Sequence, residues 1–154
     1  MTNTPTGTAF FLCGLPGSGK TTKARELERT QNAIVFSEDI WIRDLYDQSA
    51  IHDDEKRELV KVVQWNLARS LLLRGINIVL DWGVWARIER DHYRAETTAI
   101  GASYKLIYLD VPLEELQRRI AQRNQNRPPD SFHIEPHELA QWATWFEPPT
   151  AAEF

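Results

Sequence analysis

An apolar run, TAFFLC at residues 8 to 13, leads directly into Gly14-Leu-Pro-Gly-Ser-Gly-Lys20-Thr21. Lys20 to Thr30 then reads as a helix with apolar positions at Ala24 and Leu27. This strand, loop and helix satisfy G-x-x-x-x-G-K-[ST] in the one context where that spacing has a physical use. Glycines at 14, 17 and 19 let successive backbone N–H groups point inward at phosphate oxygens. Lys20 is expected to reach the β and γ phosphates and Thr21 to ligate Mg²⁺, with the helix N-terminus adding partial positive charge. Leu15, Pro16, Ser18 and Thr22 complete the expected nucleotide-contacting loop. A ligand-free turn would need neither the lysine nor the hydroxyl at these spacings.

The rest of the chain alternates in the same way. Ala33 to Phe36 reads as a second strand and about Asp39 to Tyr46 as a helix. Residues 53 to 74 have acids in the first turn, Gly75 beyond the end, and an apolar face of Leu59, Val62, Val63, Leu67 and Leu71 expected to meet the core. Ile76 to Leu80 is a third strand, Arg87 to Ile100 a polar helix, and Tyr104 to Leu109 a fourth strand. A helix from Pro112 to Arg123 or Gln125 and a last one from Pro136 to Trp145 follow. Strands separated by helices of this length predict right-handed crossovers and an α/β three-layer sandwich: a parallel sheet of about four strands with helices on both faces. The 154 residues suit one domain, with a flexible N-terminus over 1–7 and a lid over about 118–133.

Ligands of such sheets sit at the carboxyl ends of the strands. Past the second strand lies Phe36-Ser-Glu-Asp-Ile-Trp-Ile-Arg43, where Asp39 is the candidate general base of a phosphoryl transfer and Arg43, four residues on, shares its helix face. Asp39 could instead cap the helix, although Ser37 is equally placed for that, and Glu38 is the alternative base. Asp81, after the third strand, could hold Mg²⁺ or position an acceptor. Trp41, Trp82, Trp85 and Arg87 are candidate acceptor contacts, the tryptophans either walling a pocket or packing helices to the sheet.

Between Leu116 and Arg127 the chain carries Arg118, Arg119, Arg123 and Arg127 and no acid. Arginines closing over a triphosphate would neutralise charge developing in transfer and exclude water. Glu114 with Arg118 and Glu115 with Arg119 read equally as surface pairs, whereas Arg123 and Arg127 have no acid four residues upstream and are the expected catalytic arginines. His52, His92, His133 and His137 are not spaced as a zinc set.

Composition narrows the function further. A net charge of −4 offers no field to draw in nucleic acid. No apolar run approaches the roughly 18 to 20 residues of a membrane span, and MTNTPTGT lacks a signal-peptide layout. With Cys13 as the only cysteine, the expected compartment is the cytoplasm.

Taken together, GLPGSGKT, FSEDIWIRDLY, INIVLDWGVWARIER, YKLIYLDVPLEELQRRIAQRN and the terminal FEPP resemble the P-loop kinases of the polynucleotide-kinase-like and zeta-toxin-like group, including chloramphenicol phosphotransferase and often labelled AAA-family ATPases. The resemblance runs from Phe10 to about Pro149. It implies strand order 2-3-1-4, Mg-ATP as donor, Asp39 as base and arginines of LQRRIAQRN as lid residues. Many members have a fifth strand, for which Ser131 to Ile134 is the only candidate here. Polynucleotide kinases of this type place an arginine three residues after the base, whereas Arg43 is four after Asp39. The expected activity is transfer of the γ-phosphate of Mg-ATP to a hydroxyl of a small molecule. The alternatives are a nucleic-acid 5′-hydroxyl kinase and a nucleotide switch or plain ATPase.

Overall fold

A computed structural model describes residues 5–129 and 131–154. Strands β1 (Thr8–Cys13), β2 (Ile34–Ser37), β3 (Ile78–Gly83) and β4 (Ser103–Tyr108) form one sheet in the order β2-β3-β1-β4, every pairing parallel. The helices are α1 (Lys20–Gln31), α2 (Glu38–Leu45), α3 (Asp54–Leu72), α4 (Arg87–Ala99), α5 (Leu113–Gln125) and α6 (Pro136–Trp145). Short 3-10 turns lie at Gln48–His52 and Ala151–Glu153. This is the expected α/β sandwich, with the strand order that the family resemblance implies.

Side-chain alternation along β1 builds the two layers. Phe10 and Leu12 turn to one face and meet Ala24 and Leu27 of α1. Ala9, Phe11 and Cys13 turn to the other, where α3 supplies Trp65 and Leu72 and α4 supplies Tyr93. Phe11 is fully buried, with Tyr93 stacked at 5.6 Å and Trp65 tilted at 5.9 Å between ring centroids. Truncating such a residue costs about 3–5 kcal/mol.

Helix α3 differs from expectation in most of the face it buries. Val60, Gln64, Trp65, Ala68 and Leu72 point inward and Leu71 packs against the core as expected, while Leu59, Val62, Val63 and Leu67 are exposed. The buried face hides a glutamine because that amide is fully employed. Gln64 Nε2 donates to the Ser37 carbonyl at 3.0 Å, and its Oε1 accepts from Trp82 Nε1 at 2.7 Å. A polar side chain with such partners is as well placed inside as a leucine.

Strand β3 runs three residues past its expected end, because Ser37 pairs with Asp81 and Cys13 with Gly83. The register shifts between Phe11 and Cys13, a bulge of the kind that re-aims side chains beside functional sites. Ser131 to Ile134 forms no strand; Asn124 Nδ2 donates to the Ile134 carbonyl at 2.8 Å and its Oδ1 accepts from the Ile134 N–H at 3.3 Å. Of the expected flexible N-terminus, residues 1–4 lie outside the described residues. Gly7 is held in place, donating to the Leu72 carbonyl at 2.8 Å and accepting from the Ser103 N–H at 3.2 Å. No described helix is long and apolar enough to cross a membrane.

Candidate functional site

The loop from Gly14 to Gly19 joins β1 to α1 with Gly17 at φ 85° and Gly19 at φ 96°, the left-handed region that side chains disfavour. Gly19 is also the cap of α1 and contributes no side-chain hydrogen bond, so the first turn keeps its N–H groups directed at the hollow. Two other segments brace the loop. Gly14 N–H donates to the Gly83 carbonyl at 3.1 Å, and its carbonyl accepts from Trp85 Nε1 at 3.1 Å. Across the loop, Ile120 of α5 packs with Leu15 and Leu116, and Arg119 Nη1 donates to the Gly17 carbonyl at 3.2 Å.

Three donors around this hollow are short of acceptors. Ser18 Oγ is buried without a hydrogen-bond partner among the described residues, and so is Arg123 Nε. Lys20 Nζ folds back onto the Leu15 carbonyl of its own loop at 3.0 Å. Burial lowers the pKa of Lys20 against the opposing fields of Asp81 and Asp39, and burial also lowers that of Arg123. Partly buried cations and an orphaned hydroxyl around a ring of backbone N–H groups fit a polyphosphate.

Thr21 Oγ1 donates to Asp81 Oδ2 at 3.4 Å, bringing together a hydroxyl and a carboxylate whose pKa is raised by burial, with Lys20 opposing. One hydroxyl and one carboxylate, completed by phosphate oxygens and water, fit Mg²⁺, which seldom uses an all-protein cage. Among the described residues no three His, Cys, Asp or Glu side chains cluster as a metal site.

On the acceptor side, Ser37 caps α2 by accepting from the Ile40 N–H at 3.4 Å, so Asp39 is not spent on that role. Asp39 is half-exposed and lies within electrostatic range of Lys20, Asp81 and Arg123. Its cationic partner is Arg57 of α3, at 3.2 Å, and not Arg43, which pairs with Asp44 at 2.8 Å. Glu38 is 2 % exposed, 2.8 Å from Arg57 and 3.9 Å from Lys61. Burial pushes its carboxyl up to about 7, against the pull of both cations. Glu38 is thus enclosed beneath α3, whereas Asp39 is half-exposed.

Arg57 and Lys61 had no signal in the local sequence. They reach the site only because α3 folds back across α2, and their period along α3 is the one trace that could have marked them.

The tryptophans do not share one wall. Trp82 is a core residue bonded to Gln64, Trp41 is half-buried against Phe36, and Trp85 lies behind the loop, 5.9 Å from Trp142. Arg87 is taken up by the C-terminal segment: it meets Asp91 at 3.1 Å, Thr150 Oγ1 at 3.2 Å and Glu153 at 3.7 Å. In the arginine segment, Arg118 and Arg119 both pair with Glu115, and Glu114 takes no part. Arg127 is exposed and forms no ion pair among the described residues, whereas Arg123 lies within electrostatic range of Lys20 and Asp39.

Residues 10–149 match the AAA domain family. The chain belongs to that family. No curated protein shows a significant sequence match. Among solved structures, the Pnkp1/Rnl/Hen1 RNA repair complex contains a chain that is 23 % identical with a TM-score of 0.73, over 91 % of this chain and 44 % of that one. This chain therefore spans less than half the length of that relative. Kti12 of Chaetomium thermophilum, solved with ADP-AlF3, is 19 % identical with a TM-score of 0.70, over 94 % of this chain and 82 % of that one. The APS kinase CysC of Mycobacterium tuberculosis, solved with AMPPNP and APS, is 18 % identical with a TM-score of 0.64, over 92 % and 98 % of the two chains. The shared architecture is that of a P-loop kinase fold.

Proposed function

We propose that this protein is a phosphotransferase that moves the γ-phosphate of Mg-ATP to a hydroxyl of a small molecule. The observation that supports the reading is Asp39: a half-exposed carboxylate, free of capping duty, within electrostatic range of Lys20 and Arg123. Mg-ATP supplies the phosphoryl group and the divalent charge. The loop N–H groups and Ser18 hold phosphate oxygens, Lys20 and Arg123 offset the charge that develops in transfer, and Thr21 with Asp81 holds the metal. Asp39 accepts the proton of the acceptor hydroxyl as its oxygen bonds to phosphorus and the bond to the ADP oxygen breaks. The acceptor approaches from the α2 side, where Arg57 fixes the carboxylate.

The test is ADP release above the water background across a library of hydroxylated metabolites and antibiotics. An acceptor-dependent rate that disappears in Asp39→Asn, with nucleotide affinity retained, supports the reading. Steady hydrolysis indifferent to every acceptor and to Asp39→Asn overturns it in favour of a plain ATPase or switch. A nucleic-acid 5′-hydroxyl acceptor has one observation in its favour, the fold shared with the Pnkp1 complex. The net charge of −4 opposes it, and that reading requires an oligonucleotide affinity that falls steeply with salt.

A further inference from the structure

The outward face of α3 carries a continuous stripe of exposed apolar side chains. Leu59, Val62, Val63 and Leu67 are each between 45 % and 54 % exposed, and Leu73, just past the helix end, is 52 % exposed. With Asn66 and Ser70 between them they form a seam at 3- and 4-residue spacing, running about 21 Å from Leu59 to Leu73. Monomeric proteins seldom leave such a stripe open to water.

Charge on this face is segregated along the helix. Glu55 and Glu58 lie at its N-terminal end and Arg74 beyond its C-terminal end, and none of them forms an ion pair among the described residues. Among the described residues the Arg74 side chain bonds only to the Ser70 carbonyl, at 2.7 Å. Reflection of the seam about Asn66 places Leu59 opposite Leu73, Val62 opposite Ser70, Val63 opposite the alkyl stem of Arg69, whose head pairs with Glu96, and Glu58 opposite Arg74. A two-fold axis at Asn66 relates α3 to an antiparallel copy in this way, acids meeting bases at both ends and two asparagine amides meeting at the centre. A lone polar residue in an apolar helix seam is a known means of fixing register, and an isologous contact is the geometry of most two-chain assemblies.

We propose that this face of α3 is a docking surface for a second copy of the chain, packed antiparallel about Asn66. Helices so packed lie about 8–10 Å apart. Specific association needs roughly 1,000 Å² of buried surface in total, so a seam of one helix predicts a weak dimer that forms only as protein concentration rises. The opposite face of α3 carries Arg57 and Lys61, so pairing would also fix the helix that holds Asp39 and Glu38.

Sedimentation of the full chain tests this, with a monomer to dimer transition expected in the micromolar range. Val63→Glu should weaken association at least tenfold with the thermal melt unchanged. Glu58→Arg should weaken it, and adding Arg74→Glu should restore it. With Cys13 buried, Asn66→Cys provides one accessible thiol, and mild oxidation should give a covalent dimer much faster than Ile88→Cys on α4. A chain that stays monomeric at high micromolar concentration overturns the proposal, which includes the case where a different protein or another domain covers the face. A dimer indifferent to Val63→Glu, or cross-linking no faster through residue 66 than through residue 88, does so equally.

Discussion

Arg57 Nη2 lies 3.2 Å from Asp39 Oδ1, across the 18 residues that separate them in the chain. The same guanidinium directs its Nε to Glu38 at 2.8 Å, so one planar fork spans two consecutive carboxylates of α2. The two acids are thereby divided. Glu38 is enclosed and bonded, while Asp39 stays half-exposed with its orientation fixed.

This division sets the order of two substitutions. Asp39→Asn removes the proton acceptor, and acceptor-dependent kcat should fall about 10²- to 10⁴-fold with little change in nucleotide affinity. Arg57→Gln keeps the base but frees it to rotate, so a smaller loss, about tenfold, is expected in kcat. Steady-state kinetics on an identified acceptor compares the two, and a larger loss in Arg57→Gln would invert the assignment.

Glu38 makes stability depend on pH. Its carboxyl ordinarily titrates near 4.5 and in the fold is pushed up to about 7. Between those values the folded protein holds more protons than the unfolded chain, so stability should decline as pH rises from about 4.5 through about 7. The upper limit of this effect is roughly 3 kcal/mol. Urea denaturation at several pH values measures it, and Glu38→Gln, which preserves the shape, should flatten the slope.

Much of this was legible in the sequence, wherever local chemistry decides the outcome. Thr8–Cys13 and Pro136–Trp145 appear as read, because a glycine ends the first and a proline starts the second. Strand β3 extends beyond the sequence expectation because Asp81 resembles a terminator, yet pairing with Ser37 carries the ladder past it. On α3 the hydropathic period chose Leu59, Val62, Val63 and Leu67, whereas packing chose a face of lower hydropathy containing Gln64 and Ala68. Only the long-range bonds of Gln64 to Ser37 and Trp82 explain that choice, and no local window contains them. For the same reason Arg43, which shares a helix face with Asp39 in the sequence, pairs with Asp44, while Asp39 meets Arg57 of α3.

The C-terminal turn is anchored by a buried ion pair. Arg90, 1 % exposed, meets Glu153 at 2.6 Å and donates to the carbonyls of Val84 and Trp85 at 3.0 Å and 2.9 Å. Burial alone would raise the Glu153 carboxyl, but the bonds from Arg90 and the Thr150 N–H outweigh it and hold its pKa below the ordinary value. Glu153→Ala leaves a buried guanidinium uncompensated and should cost about 3–5 kcal/mol. Arg90→Met with Glu153→Leu should cost less than either single change, as read from denaturation midpoints.

Arg123 should respond in opposite directions with and without ligand. Its Nε is buried with no hydrogen-bond partner among the described residues, and burial lowers its pKa while the nearby Asp39 opposes that. In the free protein this donor is a desolvated cost, so Arg123→Gln should leave the melting temperature unchanged or raise it. A bound polyphosphate gives the guanidinium its acceptor, and a saturating nucleotide at about 100 times Kd stabilises a fold by about 2.7 kcal/mol. In Arg123→Gln that added stability should shrink, and kcat should fall more than affinity if the charge it meets develops in transfer. Lys20→Ala should abolish the nucleotide-induced rise altogether. Thermal melts with and without a non-hydrolysable Mg nucleotide separate these outcomes: a free-state loss of stability in Arg123→Gln, or an undiminished ligand-induced rise, would assign this arginine to packing and not to the phosphate hollow.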